Sequence, residues 1–414
     1  MKNKHIILEN GLNIYLCPDK TKHTTYVSLI FKYGSNHNRF KVNDKEYLIP
    51  DGMAHFIEHY LLEHGKYGNL FRLLGEKQMY RDGYTNPIRT KYYFSTTHDL
   101  EWGLEKLITG INEPIFKEKF IEKTKEPIYH EIRMVKDKKI RMLIETSIKN
   151  AFHNYKRISN IGTLSSIKSF DYDTVKLCYD VFYQFKNQIL IVAGNFNEEK
   201  VLKKIKEIYA EIKKEDIPFE LITVNEPSEV KKAYEEYYMP IGKPLVGISF
   251  KINIKNYNAS ELLKLDNYLH CFKSLNFGIT SPLYQELLEQ NIIDYPTGLF
   301  IDYYHDYLLM TVINDTHEIE KFIKTIKEMF KTRNFNNNKE FFDLMKKEAI
   351  INFSFRPESL ASMIDPFVDN LTRFNYPEFD KLADIESDNF EKYIKIIENL
   401  DFSHYTVTVI KDKN

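Results

Sequence analysis

The chain is predicted to be an α+β protein of two similar domains, each a mainly antiparallel sheet packed with helices. Its 414 residues exceed what one hydrophobic core normally serves. One order of strands and helices also recurs on both sides of a polar, proline-containing stretch, residues 213–232. That stretch reads as a linker, with domains at 1–218 and 225–414. The first residues carry a strong hairpin signal, which places β-structure at the very start.

Residues 6–8 and 12–16 flank Asn10-Gly11, a dipeptide that suits a tight hairpin turn. Residues 25–33 form a β-branched and aromatic run closed by Gly34-Ser35. A helix is expected at 52–65 and another at 70–76, then a strand at 91–97 and an amphipathic helix at 100–111. A long charged helix is expected from 117 to about 151, with Pro127 as its kink or break. Strand 188–193 and helix 198–212 close the first half. The second half repeats the order: strand 245–254, helix 260–272, helix 282–290, a strand pair or long strand at 303–313 and helix 317–330. Its long helices end in strand 404–410. The clearest internal match is between Asn69-Leu70-Phe71-Arg72-Leu73-Leu74 and Pro282-Leu283-Tyr284-Gln285-Glu286-Leu287, each with its following strand and helix.

Composition excludes several classes of function. Fifty-eight basic and 59 acidic side chains give a formal net charge of −1, so nothing draws the chain towards nucleic acid or anionic membranes. The local run Lys136-Asp137-Lys138-Lys139-Ile140-Arg141 does not change that balance. Cys17, Cys178 and Cys271 are odd in number and far apart, which fits a reducing compartment better than a disulfide framework. The apolar run Ile6-Ile7-Leu8 is too short for a signal peptide, and no stretch approaches the length of a membrane span. A cytoplasmic protein without membrane insertion is expected.

The chemistry concentrates in His55-Phe56-Ile57-Glu58-His59. On a helix His55 and His59 lie one turn apart and reach one metal ion, while Glu58 borders the same face. A hydrolytic zinc site needs three protein ligands and an open position, with a carboxylate beside it to move protons. His-x-x-Glu-His reverses the commoner His-Glu-x-x-His order and serves the same geometry. Two histidines and a glutamate among Met53, Ala54, Phe56, Ile57, Leu61 and Leu62 need a reason to be there, and a metal supplies one. A third ligand must come from elsewhere. The long helix offers Glu122, Glu126 and Glu131; the first two read as a solvated face, and Glu131 borders the apolar face marked by Ile128 and Ile132.

The chain resembles the pitrilysin/insulinase metallopeptidases, the inverted zincins that include mitochondrial processing peptidase. The resemblance runs through Asn10-Gly11-Leu12, Pro50-Asp51-Gly52-Met53-Ala54-His55-Phe56-Ile57-Glu58-His59, Tyr84-Thr85, Arg89-Thr90, Tyr92-Tyr93-Phe94 and Glu131-Ile132. Ile161-Gly162-Thr163, Cys178-Tyr179, Phe182-Tyr183, Asn187, Gly194 and Phe196 continue it, and Ser281-Pro282-Leu283-Tyr284-Gln285-Glu286 and Tyr295 carry it into the second half. It implies that the chain forms half of a clamshell closing around a peptide. It also implies one Zn2+ per chain held by His55, His59 and Glu131, Glu58 as general base, and substrate contacts from Asp82, Gly83, Tyr84 and Tyr295.

Three departures from the family pattern stand out. Thr124 occupies the place of a second glutamate that supports the metal, Asp82-Gly83 replaces Asn-Ala on the substrate-edge strand, and Leu288 replaces an arginine. The expected function is therefore a zinc endopeptidase acting on peptides or small unfolded polypeptides held as an extended strand. It is expected to be the catalytic subunit of a heterodimer whose homologous partner supplies an Arg/Tyr pair, with a homodimer as second choice. The alternative is a catalytically silent peptide-binding or scaffold member of the family. Leu288 is expected to pack beneath the loop leading to Tyr295.

Overall fold

The computed structural model describes residues 3–135, 138–155, 159–355, 359–377 and 382–413. The first half contains β1 (Lys4–Ile7), β2 (Asn13–Pro18), β3 (Thr25–Phe31), β4 (Arg39–Val42), β5 (Lys45–Leu48), α1 (Met53–His64), α2 (Leu70–Glu76), β6 (Tyr80–Thr85) and β7 (Thr90–Thr96). It continues with α3 (Leu100–Asn112), α4 (Glu118–Val135), α5 (Lys139–Ala151), α6 (Leu164–Lys168), α7 (Tyr172–Phe182), β8 (Gln188–Gly194) and α8 (Glu198–Glu211). The second half contains β9 (Glu220–Leu221), β10 (Tyr234–Met239), β11 (Leu245–Asn253), α9 (Ala259–Phe277), α10 (Pro282–Glu289), β12 (Gly298–Tyr304) and β13 (Tyr307–Asp315). It ends with α11 (Ile319–Thr332), α12 (Lys339–Phe355), α13 (Leu360–Phe374), α14 (Leu382–Ser387), α15 (Phe390–Asn399) and β14 (Tyr405–Asp412).

The strand orders state the internal repeat. One sheet runs β1-β2-β8-β3-β7-β6 and the other β10-β14-β11-β13-β12. The block β2-β8-β3-β7-β6 is matched strand for strand by the second sheet, and in both the first pair is parallel and the rest antiparallel. The first sheet adds β1, which turns back through Asn10-Gly11 to pair Ile7 with Asn13. Gly11 holds φ +84° there, a conformation that side chains disfavour. The stretch expected as a linker contributes β9, which pairs with β4.

The central strands β3, β8, β11 and β13 are buried along almost their whole length. They are covered on both faces, so they read as mostly apolar runs without strict alternation. One cover comes from the opposite half in each case. Leu360, Ile364, Phe367 and Leu371 of α13 pack on Tyr15, Tyr26, Ile30 and Ile191 of the first sheet. Leu143 of α5 packs on Leu245, Ile313 and Ile410 of the second. Gly247 makes room for it, since a Cβ there would lie 2.3 Å from Leu143 Cδ2.

This crossing explains where the long helix breaks. Helix α4 runs through Pro127. The carbonyl that loses its donor belongs to Lys123, which is exposed to water. The break falls after Val135, because α5 must turn its apolar face to the other sheet. Lys136 and Asp137 of the basic run lie outside the described residues.

A buried ion pair ties the crossing helix to the second sheet. Lys251 Nζ donates to Glu226 Oε1 at 2.8 Å and to the carbonyls of Ala151 and Pro227. Glu226 also accepts the backbone N–H groups of His153, Asn154 and Tyr155. The two side chains are 0% and 5% exposed. Glu226→Ala leaves a buried ammonium without its counter-charge and is expected to cost about 3 kcal/mol or more. The change would be read as a lower urea midpoint, and an unchanged midpoint would show that the pair does not hold the halves together. Among the described residues no helix is long and apolar enough to cross a membrane.

Candidate active site

Helix α1 starts from Gly52, whose φ of +92° and missing Cβ let the chain touch Gly162. A Cβ would stand 2.7 Å from the Gly162 Cα. Asp51 Oδ2 accepts the N–H of Ser159 at 3.0 Å. These contacts lay residues 159–162 against the start of the helix that carries the histidines.

One turn of helix then does what the spacing requires. The Nε2 atoms of His55 and His59 lie 3.2 Å apart, and each is 3.4 Å from an oxygen of Glu131 on α4. All three donor atoms fall within 4.8 Å of one another. Zinc bonds of about 2.0–2.2 Å at tetrahedral angles place neighbouring donors about 3.3–3.6 Å apart, so this donor set fits zinc. Burial and the neighbouring His59 hold His55 down to about 3, and burial lowers His59 as well. Neutral imidazole is the form that binds metal. The support behind the histidines is thin. The Nδ1 of His55 is buried with no hydrogen-bond partner among the described residues. The hydroxyl of Thr124 turns back onto the Phe120 carbonyl of its own helix at 2.9 Å.

Glu58 sits beside this cluster, 5% exposed. Its Oε2 accepts the Thr85 hydroxyl at 2.6 Å, and Thr85 in turn lies 3.1 Å from Thr90, which donates to the Tyr33 carbonyl. Burial raises the carboxyl to about 7 despite the Thr85 bond, which acts to lower it. A group poised there can take and return a proton near neutral pH. Gly83 packs directly on it, since a Cβ at Gly83 would lie 3.4 Å from Glu58 Oε1. Strand β6, which carries Gly83, is the edge of its sheet, so its outer backbone groups can pair with an extended peptide.

Gly83, Tyr84 and Thr85 line a cavity of about 440 Å³ with the His/Glu cluster. Asp82 and Tyr295 are not among its lining residues. The Asp82 carboxylate accepts its neighbour's N–H and the Tyr93 hydroxyl instead. The Tyr295 hydroxyl donates to Asp315, which also takes Lys139 at the start of α5. Leu288 does not pack beneath the loop to Tyr295: it is 36% exposed, and Leu287 is the buried residue. One residue on a helix is about 100° of rotation, enough to exchange an inward position for an outward one.

The cavity also contains residues that sequence reasoning missed: Thr85, Arg141, Asn160 and Ile161. Thr85 lay within the quoted Tyr84-Thr85 motif without a role. Arg141 lay in a basic run weighed only against the overall charge balance, and nothing in the sequence separates it from the lysines beside it.

Comparison with known proteins accords with this geometry. The family described as Insulinase (Peptidase family M16) matches residues 14–162, and Peptidase M16 inactive domain matches residues 169–334. The second match covers the end of the first half and most of the second, and begins after the His/Glu cluster. An uncharacterized zinc protease of Bacillus subtilis (strain 168), YmfH, is 30% identical over 362 residues, 84% of this chain and 82% of the relative. The chain belongs to the M16 peptidase family. Among M16 structures it is similar to a putative M16-like peptidase from Alicyclobacillus acidocaldarius (TM-score 0.89, 23% identity), with 100% of this chain and 98% of that chain covered. It is also similar to pitrilysin (TM-score 0.75, 15% identity), with 99% of this chain but only 45% of that chain covered. This chain therefore corresponds to one half of the M16 clamshell.

Proposed function

We propose that the chain is a zinc-dependent endopeptidase that cleaves peptides or small unfolded polypeptides bound as an extended strand. The observation that carries the reading is the triangle of His55, His59 and Glu131 donor atoms with Glu58 buried beside it. In this reading His55, His59 and Glu131 hold the ion, which when bound supplies Lewis-acid chemistry. Glu58, oriented by Thr85, takes a proton from the attacking water and returns it to the leaving amine. The free edge of β6 at Gly83 and Tyr84 aligns the peptide backbone, and Asp82 and Tyr295 act as outer substrate contacts.

The chain acts as the catalytic subunit beside a homologous partner, a homodimer being the second choice, with domains at 1–218 and 225–414. Three unpaired cysteines favour a reducing, cytoplasmic setting. The orphaned Nδ1 of His55 is the one observation that favours the silent, peptide-binding alternative, because metal-ligating histidines usually donate their other N–H.

Metal analysis separates the two. The purified chain is expected to carry about one zinc, and His59→Ala to lose most of it. Equal metal content in both proteins would reject the ligand assignment.

A further inference from the structure

The basic run that the charge balance left idle divides in the structure. Lys139 goes to Asp315, and Arg141 enters the cavity of the candidate active site. Among the described residues that line this cavity, Arg141 is the sole lysine or arginine. Its side chain is 28% exposed and held in one orientation. Nε donates to Glu145 at 2.8 Å and Nη2 to the Ser159 hydroxyl at 3.2 Å. Ser159 is itself fixed, its hydroxyl donating to the Gly162 carbonyl and its N–H to Asp51. No described residue accepts a hydrogen bond from Nη1. The guanidinium therefore keeps one edge, Nη1 with the remaining Nη2 hydrogen, free for a planar two-oxygen acceptor. Asn160 lies on the same wall. Its Oδ1 takes the Ser35 hydroxyl, and no described residue accepts from its Nδ2.

We propose that Arg141, with Asn160 beside it, recognises a carboxylate of the bound peptide close to the cleaved bond, so that the chain selects anionic peptides. The inference rests on the peptide-binding reading above and names the substrate class for that site. The cavity of about 440 Å³ has room for roughly two residues of extended chain at about 3.3 Å each. The carboxylate thus belongs to an acidic side chain next to the scissile bond or to a nearby C-terminus. A neutral carbonyl would use one donor of the fork, whereas a carboxylate uses two with opposite charge.

The test measures binding, so that it does not depend on turnover. Fluorescent peptides in matched pairs, Glu against Gln near the middle and free acid against C-terminal amide, are titrated into the full-length Glu58→Gln chain with zinc added. The acid member of one pair is expected to bind about ten-fold tighter than its amide counterpart, a charge-assisted pair in a partly buried site, and the pair that responds identifies the source of the carboxylate. Adding Arg141→Gln should abolish that ratio by weakening the acid peptides far more than the amide peptides, and Arg141→Lys should restore part of it.

Equal or absent binding of acid and amide peptides overturns the proposal, as does an Arg141→Gln loss equal for both. A preference that survives Arg141→Gln also overturns it, because the carboxylate would then be recognised by another group. If the zinc-loaded wild type cleaves no peptide either alone or with a homologous partner, yet the Arg141-dependent preference persists, the peptidase reading fails and this site stands.

Discussion

Replacing Glu58 by glutamine is expected to lower peptide turnover about a hundredfold or more while the chain keeps its zinc. The substitution preserves size and can still accept the Thr85 hydroxyl, so the wall of the cavity stays in place. It removes the one buried carboxylate beside the donor triangle that is not itself a proposed ligand. Its environment marks it for proton transfer: burial raises it to about 7, where both protonation states are accessible at neutral pH. Turnover and zinc content measured on the same preparation decide the matter. If Glu58→Gln cleaves as fast as wild type, another group moves the proton.

The metal-free protein gives an independent reading of the same carboxyl. Its folded value of about 7 lies above the ordinary 4.5, so between those values the native state binds more protons than the unfolded one. Stability from this group is therefore fully present below pH 4.5 and lost as pH rises through 7, by about 3 kcal/mol at most. His55, held down to about 3, works in the opposite sense, gaining stability as pH rises from 3 towards 6.5. Both proteins share His55, so the difference between them isolates Glu58. In chelator, Glu58→Gln should melt higher than wild type at pH 8 and converge with it towards pH 4.5.

What could be read from sequence was whatever depends on local periodicity and local turns. The Asn10-Gly11 hairpin, the central strands and the helix bearing His55, Glu58 and His59 are of that kind, because spacing on a helix or strand fixes which side chains share a face. The repeat was visible because α2 and α10 precede equivalent edge strands. An amphipathic helix announces an apolar face but not the sheet that covers it. The exchange of α5 and α13 between halves was for this reason illegible, and with it the entry of Arg141 into the cavity. The β4–β5 hairpin is short and polar, and offers no periodic signal. Leu288 was misplaced by one helical position, since Leu287 and Leu288 are indistinguishable until the helix phase is known.

Activity is expected to rise at least ten-fold when this chain is mixed with a homologous subunit that carries the arginine missing at Leu288. The residues lining the cavity fall between His55 and Ile161, and none of the described residues of the second half is among them. Leu288 is exposed and has no donor to offer a developing negative charge. Tyr295, the other candidate from that half, has its hydroxyl tied to Asp315. A peptide carbonyl under attack needs aimed donors, and losing one typically costs a factor of a hundred to a thousand in rate. Arg141 supplies a cation on the wall, but Glu145 and Ser159 fix its guanidinium, and it cannot close the open side of the cavity against water. A second clamshell half can do so, contributing its Arg/Tyr pair across the chamber while this chain contributes the His/Glu cluster. The mixing experiment uses unstructured peptides of varied sequence, with this chain alone, with the partner, and with the partner's arginine replaced. The partner should stimulate, its arginine variant should stimulate far less, and Glu58→Gln in this chain should silence the mixture. Full turnover by the isolated chain, indifferent to the partner and to its arginine, would mean that Arg141 and the first-half cavity complete the site unaided.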